Sequence, residues 1–183
     1  MLLVPKKLTV QKYQEMIEAG MFTSDDHIEL IRGEIIEMSP IGRKHIASVN
    51  RLNAILSQKL SDQVIVSIKN SVELDDNSAP QPDVALLKKR DDFYRDSVPN
   101  PRDIFLIIEV ADTTIKSDRD IKIPLYAEAN INEVWLVDTN NQLIEVYRQP
   151  FNGVYRQKQT FLLGESISIL AFPDVTIAVN DVF

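Results

Sequence analysis

The sequence predicts a mixed α/β fold: a central mixed β-sheet flanked by helices, extended by an N-terminal helix and hairpin and by C-terminal strands. Three observations predict it. The segments Ile104–Val110 and Glu133–Asp138 are apolar almost throughout, the composition of strands buried on both faces at the centre of a sheet. From Arg43 to Leu60 the apolar residues Ile46, Val49, Leu52, Ile55, Leu56 and Leu60 recur at helical spacing, enough to cover such a sheet. A helical stretch runs between the two central strands, so their connection is a crossover and is expected to be right-handed.

The elements follow in order. Thr9–Ala19 reads as a helix, with Thr9 as N-cap, Tyr13, Met16 and Ile17 on one face, and Gly20 at the C′ position. HIELIRGEIIEM alternates on both sides of Arg32-Gly33 and reads as a β-hairpin, with most of Glu29, Glu34 and Glu37 facing solvent. Pro40 and Gly42 break the chain before the helix Arg43–Leu60. His45 stands in that helix's first turn, where a histidine is ordinarily solvated rather than a ligand. Val64–Lys69 and Ser71–Leu74 alternate and read as two strands joined at Asn70.

DDNSAPQP is a loop dense in turn formers, and Pro82 hands over to the strand Asp83–Leu87. The run KKRDDFYRDSVPNPRD is a long exposed connection, with a short helical turn at Asp91–Tyr94, of the kind that serves as a lid or binding loop. Its basic cluster Lys88, Lys89 and Arg90 is equally well read as a solvated turn. After Ile104–Val110 a helix runs to about Ala129, and Pro124 marks its start or a bend. Strands Glu133–Asp138, Leu143–Tyr147 and Val154–Gln159 follow, then one or two short strands in the tail ESISILAFPDVTIAVNDVF.

A chain of 183 residues suits one domain, 1–183, with room for a sizeable core. No cysteine occurs, which excludes disulfides, thiolate nucleophiles and cysteine-based zinc sites and fits a cytoplasmic protein. No apolar run approaches the roughly 20 residues of a membrane span, and MLLVPKKL lacks a secretory apolar core. The net charge of −7 argues against avid nonspecific binding of nucleic acid, so any such contact has to rely on local positive patches.

Within this frame, Gln81 to Tyr126 carries polar residues where a purely structural segment would not. Asp83 opens an apolar strand just after Pro82, and Glu109 interrupts another near its end. Burying a carboxylate unpaired is costly or shifts its pKa, so Glu109 needs a cation, a proton or the open end of the sheet. Two carboxylates at strand ends, with Lys122 and Tyr126 on the following helix, make a divalent-metal site. Salt bridges or solvated strand ends account for the same residues. Asp118 and Lys122, spaced i, i+4, also fit a surface ion pair.

The segments ELIRGEIIEMSPIGRKHIASVNRL, QPDVALL, IIEVADTT, DRDIKIPLYAEANINEVWLVD and LIEVYR occur in that order between Glu29 and Arg148. In them the chain resembles the Uma2 family, formerly DUF820, of the PD-(D/E)XK nuclease superfamily. The resemblance implies a restriction-endonuclease-like core, with Asp83 as the aspartate of the PD motif and Glu109 as the second acidic residue. The superfamily's usual lysine falls at Ala111, which cannot serve. The family's lysine is placed on the following helix, here Lys122, whose flexible stem makes the move physically reasonable. Glu34, His45 and Gln81 occupy polar positions of the family pattern, and Asp118 and Tyr126 stand near Lys122, where they would fix its position. Pro173-Asp174 repeats the PD dipeptide with no E-x-K after it.

The chemistry so implied is phosphodiester hydrolysis assisted by Mg²⁺ or Mn²⁺, held by Asp83, Glu109 and the Val110 carbonyl, with Lys122 orienting or activating the attacking water. The implied partner is nucleic acid, DNA foremost, and the terminal strands suggest a homodimer. Two other functions remain open. A nuclease-like module that binds nucleic acid or a protein partner without cutting is favoured by the acidic charge and Ala111. A small-molecule enzyme or toxin-like module on the same fold is the other, since fold alone does not fix function.

Overall fold

The computed structural model of the protein describes residues 6–23 and 26–183. Residues 1–5, part of the MLLVPKKL segment considered above, lie outside the described residues. The N-terminal helix α1 (Val10–Glu18) is capped as its sequence predicts, the Thr9 hydroxyl accepting from the Lys12 amide. Strands β1 (Ile28–Ile31) and β2 (Glu34–Glu37) form the antiparallel hairpin. Arg32 and Gly33 between them both take positive φ, the left-handed pair that a tight hairpin turn requires. Helix α2 (Arg43–Leu60) matches its predicted span residue for residue.

A six-stranded sheet forms the centre, built from β3 (Val64–Ile68), β4 (Val84–Lys88), β5 (Ile104–Ala111), β6 (Glu133–Asp138), β7 (Leu143–Phe151) and β8 (Val154–Phe161) in that spatial order. Only β5 and β6 run parallel, because only they are joined by a helical crossover; the other neighbours are antiparallel. Alternation along the strands builds two apolar layers. Val84, Leu86, Leu106, Ile108 and Trp135 pack with Leu52 and Leu56 of α2. Ala85, Leu87, Ile107 and Leu136 pack on the other face with Ile123, Leu125 and Tyr126. Fully burying one such aliphatic side chain contributes about 1.5–3 kcal/mol, so both faces anchor the strand ends firmly. The last strands, β9 (Ser166–Ile169) and β10 (Phe172–Ala178), pair with each other and lay Ile167, Ile169 and Ile177 against the α2 side of the sheet. Pro173 and Asp174 are exposed on β10, outside the central sheet.

Several expectations are corrected. Ser71–Leu74 is not a strand. The Val72 and Leu74 amides donate to Pro80 and Ser78 carbonyls, but Pro80 has no N–H to return the bond, so no ladder propagates. Asp91–Tyr94 is a turn, with positive φ at Phe93 and Tyr94, and Arg90 pairs with Asp92 as a solvated turn would. The helix after β5 comes in pieces: α3 (Ile115–Ser117), a wide π turn over Asp118–Lys122, and α4 (Ile123–Glu128). In the π turn the Ile123 amide donates five residues back, to Asp118. Pro124, which cannot donate, follows at once, so the irregular turn takes up the missing helical bond. No described helix is long and apolar enough to cross a membrane.

Candidate active site

Strand register brings the two acidic positions together. Val84 pairs with Ile108 across β4 and β5, so Asp83, one residue outside β4, stands opposite Glu109. By parity Asp83 shares a face with Ala85 and Leu87, and Glu109 shares one with Ile107 and Ala111. These are the same face, covered by the helix that carries Lys122 and Tyr126. The Val110 amide donates to Asp83 Oδ2 at 2.8 Å, which pins the aspartate over the end of β5. Ala111 is wholly buried on that face, which is also the face covered by the helix that carries Lys122.

Lys122 is buried, and its ammonium lies 3.3 Å from Glu109 Oε1 and 3.2 Å from Glu29 Oε1. The surface pair between Asp118 and Lys122 that their spacing also allowed does not form. Asp118 is buried as well and accepts at 2.6 Å from Thr114 Oγ1, one turn back on its own helix. Tyr126 donates its hydroxyl to Glu109 Oε1 at 2.5 Å. The lysine and the tyrosine thus grip the same carboxylate oxygen.

Two residues read as solvent-facing are inside. His45 is 5% exposed, and its Nε2 lies 2.9 Å from Asp83 Oδ2. The first turn of α2 packs over the strand end, which removes the histidine from water; since a carboxylate only accepts, Nε2 carries the proton. Its Nδ1 has no protein partner among the described residues. Glu29 is 2% exposed and closes the site from the hairpin. The Gln81 amide donates to Glu29 Oε2 at 3.1 Å, which places Gln81 as a support for that carboxylate. Glu29 escaped the sequence reading, and the available signal was its parity with Ile31, which turns it inward while Glu34 at the turn stays exposed. Glu34 lines no part of the site. Lys69, also unforeseen, reaches within 3.6 Å of Asp83 Oδ1 from the strand on the other side of β4.

Glu29, His45, Lys69, Gln81, Asp83, Glu109, Asp118 and Lys122 line one cleft of about 900 Å³, walled by the hairpin, the chain from Met38 to Ile41, and the segment from Asp112 to Lys122. The connection between β4 and β5 contributes no residue beyond the strand ends, so it is not the lid its length suggested.

Burial pushes the Glu109 carboxyl up, Lys122 pulls it back, and the remaining carboxylates Asp83, Asp118 and Glu29 raise it again, leaving it at about 8. Burial likewise raises Asp118 above the usual carboxylate range. Burial alone would depress the Lys122 ammonium, but Glu109 and Glu29 more than offset that and hold it well above its ordinary value. Tyr126, buried and facing Glu109, is raised far above an ordinary phenol. Lys122 is therefore held in its charged form, in which it can donate hydrogen bonds but not accept them.

The family model named Uma2, "Putative restriction endonuclease", matches residues 10–180. The chain belongs to the Uma2 family. That membership supports a nuclease-like function. A solved structure described as a "putative nuclease belonging to DUF820", from Anabaena variabilis ATCC 29413, superposes with a TM-score of 0.68 at 16% identity, covering 96% of this chain and 97% of that one. It shows the shared restriction-endonuclease-like fold. No curated protein matches the chain.

Restriction-endonuclease-like families generally use divalent metals, and the Uma2 site can be tested for the fit. Among the described residues no three histidine, aspartate or glutamate side chains gather as a ready-made cage. The donor set nevertheless suits a hard cation. Four buried carboxyl groups, Glu29, Asp83, Glu109 and Asp118, gather around one buried ammonium, so the pocket is rich in hard oxygen donors. Mg²⁺ and Mn²⁺ suit such a site, because one or two carboxylates suffice when waters and phosphate oxygens complete the shell.

Proposed function

We propose that the protein is a metal-dependent endonuclease that hydrolyses phosphodiester bonds in DNA, using Asp83, Glu109 and Lys122. What supports the reading is a single observation. Two strand-end carboxylates and a charged lysine, separated in sequence and drawn from two strands and a helix, converge in one large cleft.

Asp83 and Glu109, with the Val110 carbonyl as a further oxygen, would hold Mg²⁺ or Mn²⁺. When bound, the ion polarises the scissile phosphate and lowers the pKa of a bound water. The chain's own residues do the rest. Val110 N–H and His45 fix one face of Asp83, and Tyr126 fixes Glu109, so neither carboxylate has to reorganise. Lys122, kept protonated, donates to the attacking water or to a phosphate oxygen as charge grows there. The water gives up a proton to solvent, its oxygen bonds to phosphorus as the ester oxygen leaves, and the leaving oxygen takes a proton from solvent.

The alternative is a module that binds nucleic acid or a protein partner without cutting, in which Lys122 merely neutralises Glu29 and Glu109. Cleavage of duplex DNA, single-stranded DNA and RNA by wild type, Asp83→Asn and Lys122→Ala, with Mg²⁺ and with Mn²⁺, separates the two. The nuclease reading expects cutting by wild type alone. Wild-type protein that binds metal and cuts none of the substrates, or cutting that survives in Lys122→Ala, overturns it.

A further inference from the structure

Along the first turns of α2 lies a second cleft, of about 440 Å³, lined by Arg43, Lys44, Ala47 and Arg51 and by Asn140 and Gln142 of the β6–β7 turn. Its charge is unlike that of the molecule. The chain has 27 acidic residues against 20 basic ones, yet the 18 residues of α2 include Arg43, Lys44, Arg51 and Lys59 and no acid. Arg32, Arg90, Arg95, Arg119 and Arg148 each pair with a carboxylate. Arg43, Lys44 and Arg51 are exposed and take part in no ion pair among the described residues.

We propose that this cleft is a phosphate-binding surface that holds the sugar–phosphate backbone of a nucleic-acid strand flanking the bond in the catalytic cleft. The proposal rests on the nuclease reading for its substrate class, and on the charge and shape of the second cleft for its place. Arg43, Ala47 and Arg51 follow one helical row at i, i+4 spacing. The small Ala47 leaves room between the two guanidinium groups. From Arg43 to Arg51 the row extends about 12 Å along the helix axis at about 1.5 Å per residue. One strand of B-form DNA presents a phosphate about every 3.4 Å of axis, so the row spans roughly three phosphates. A lone phosphate ion needs no such length, whereas a backbone does. Exposed Asn140 and Gln142 add uncharged hydrogen-bonding groups beside the row. The two clefts share the first turn of α2: Lys44 lines this one, while the next residue, His45, lines the catalytic one and touches Asp83. In a protein of net charge −7 this row is a local positive patch of the kind nucleic-acid binding would require.

The test is fluorescence anisotropy with labelled oligonucleotide duplex in chelator, over a series of salt concentrations, for wild type, the double variant Arg43→Ala/Arg51→Ala, and Lys59→Ala as a control on the same helix. The double variant should bind duplexes of different sequence uniformly more weakly. The slope of log K against log salt should flatten by about 2, about 0.9 per lost phosphate contact, while Lys59→Ala leaves it unchanged. An unchanged affinity and slope in the double variant overturns the proposal. So does a cleft that takes inorganic phosphate without any effect of the two arginines on the oligonucleotide. Cleavage assays with Mg²⁺ on the same proteins keep the two readings apart. Cutting with an unchanged salt slope removes only the backbone surface, and arginine-dependent binding without cutting removes only the catalysis.

Discussion

The Lys122 ammonium lies as close to Glu29, at 3.2 Å, as to Glu109, at 3.3 Å. A hairpin carboxylate thus shares the cation that a strand carboxylate would otherwise hold alone, and the hairpin becomes part of the site. Replacing Glu29 by Gln keeps the shape and an acceptor for the Gln81 amide, but removes one of the two charges that aim the ammonium. Metal-dependent cleavage should fall roughly 10–100-fold in kcat with little change in KM, the usual scale for a supporting residue. Steady-state kinetics check it, and a Glu29→Gln protein as active as wild type would remove the hairpin from the site.

Lys122 has a stability role that a surface pair would lack. As an exposed i, i+4 partner of Asp118 it would contribute a few tenths of a kcal/mol at most. Buried between two carboxylates, its removal leaves uncompensated charge and should cost about 3–5 kcal/mol in the absence of metal. Lys122→Met keeps most of the apolar stem and isolates the charge effect. Denaturant melts in chelator measure it, with part of the loss recovered when a facing carboxylate is also removed in Lys122→Met/Glu29→Gln. A loss below about 1 kcal/mol in Lys122→Met would contradict the buried ion-pair geometry.

Glu109 ties stability to pH. Its carboxyl is raised in the folded protein from 4.5 to about 8, so the folded state binds the proton more tightly than the unfolded chain does. The resulting stabilisation is complete below about 4.5 and is lost as pH rises through about 8. In chelator, the contribution of Glu109 should therefore make wild type lose stability across that window relative to Glu109→Gln, in which the slope is absent. Thermal melts of both proteins from pH 5 to 9 read the difference. Parallel curves would show that Glu109 does not hold its proton in the folded state.

The legible parts of this molecule were those written in local periodicity. Helix α2 follows from its apolar spacing, and β5 and β6 from apolar runs that only a doubly covered strand tolerates. Asp83 stood out because it opens an apolar strand, and Glu109 because it interrupts one. Lys122 was marked by its place on the helix after Glu109 and given its role by resemblance; spacing also offered an i, i+4 pair with Asp118, and the π turn that seats both residues inward is a tertiary outcome. The burial of Glu29, and of His45, which only the resemblance had marked, was invisible for a related reason. Both sit on elements with one wet face, and what dries them is packing against strand ends far away in sequence. The failed strand at Ser71–Leu74 shows the converse: its alternation was sound, but its partner carried prolines where donors were needed.

His45 should act through Asp83. Its Nε2–H and the Val110 amide both donate to Asp83 Oδ2, which fixes that carboxylate's orientation. His45→Ala removes a hydrogen bond to a carboxylate worth about 1.5–3 kcal/mol. Mn²⁺ affinity, followed by calorimetric titration, should fall by roughly 10–100-fold as Asp83 becomes free to turn. His45→Gln, which can still donate, should recover part of it. Equal affinities in all three proteins would leave His45 a packing residue only.

The last prediction concerns the far end of the sheet, where the C-terminal hairpin is tied down. Glu133 is fully buried, yet all its contacts are donors: Trp135 Nε1 at 2.9 Å and Arg148 Nε and Nη2 at 2.9 and 2.6 Å to Oε1, with the Leu170 amide at 2.7 Å to Oε2. Arg148 Nη2 also donates to the Ser168 carbonyl, so one ion pair links β6, β7 and the β9–β10 hairpin. Removing one partner of a buried pair strands the other charge, and Arg148→Ala should cost about 3–5 kcal/mol. For a protein of this size that lowers Tm by about 10 °C. Neutralising both partners with groups of similar shape is far less damaging, because no charge is left buried alone. Glu133→Gln/Arg148→Met should therefore melt well above Arg148→Ala, even though it carries one more substitution. A double variant no more stable than Arg148→Ala would mean that the hairpin is held by the ion pair itself rather than by Ile167, Ile169 and Ile177 against the sheet.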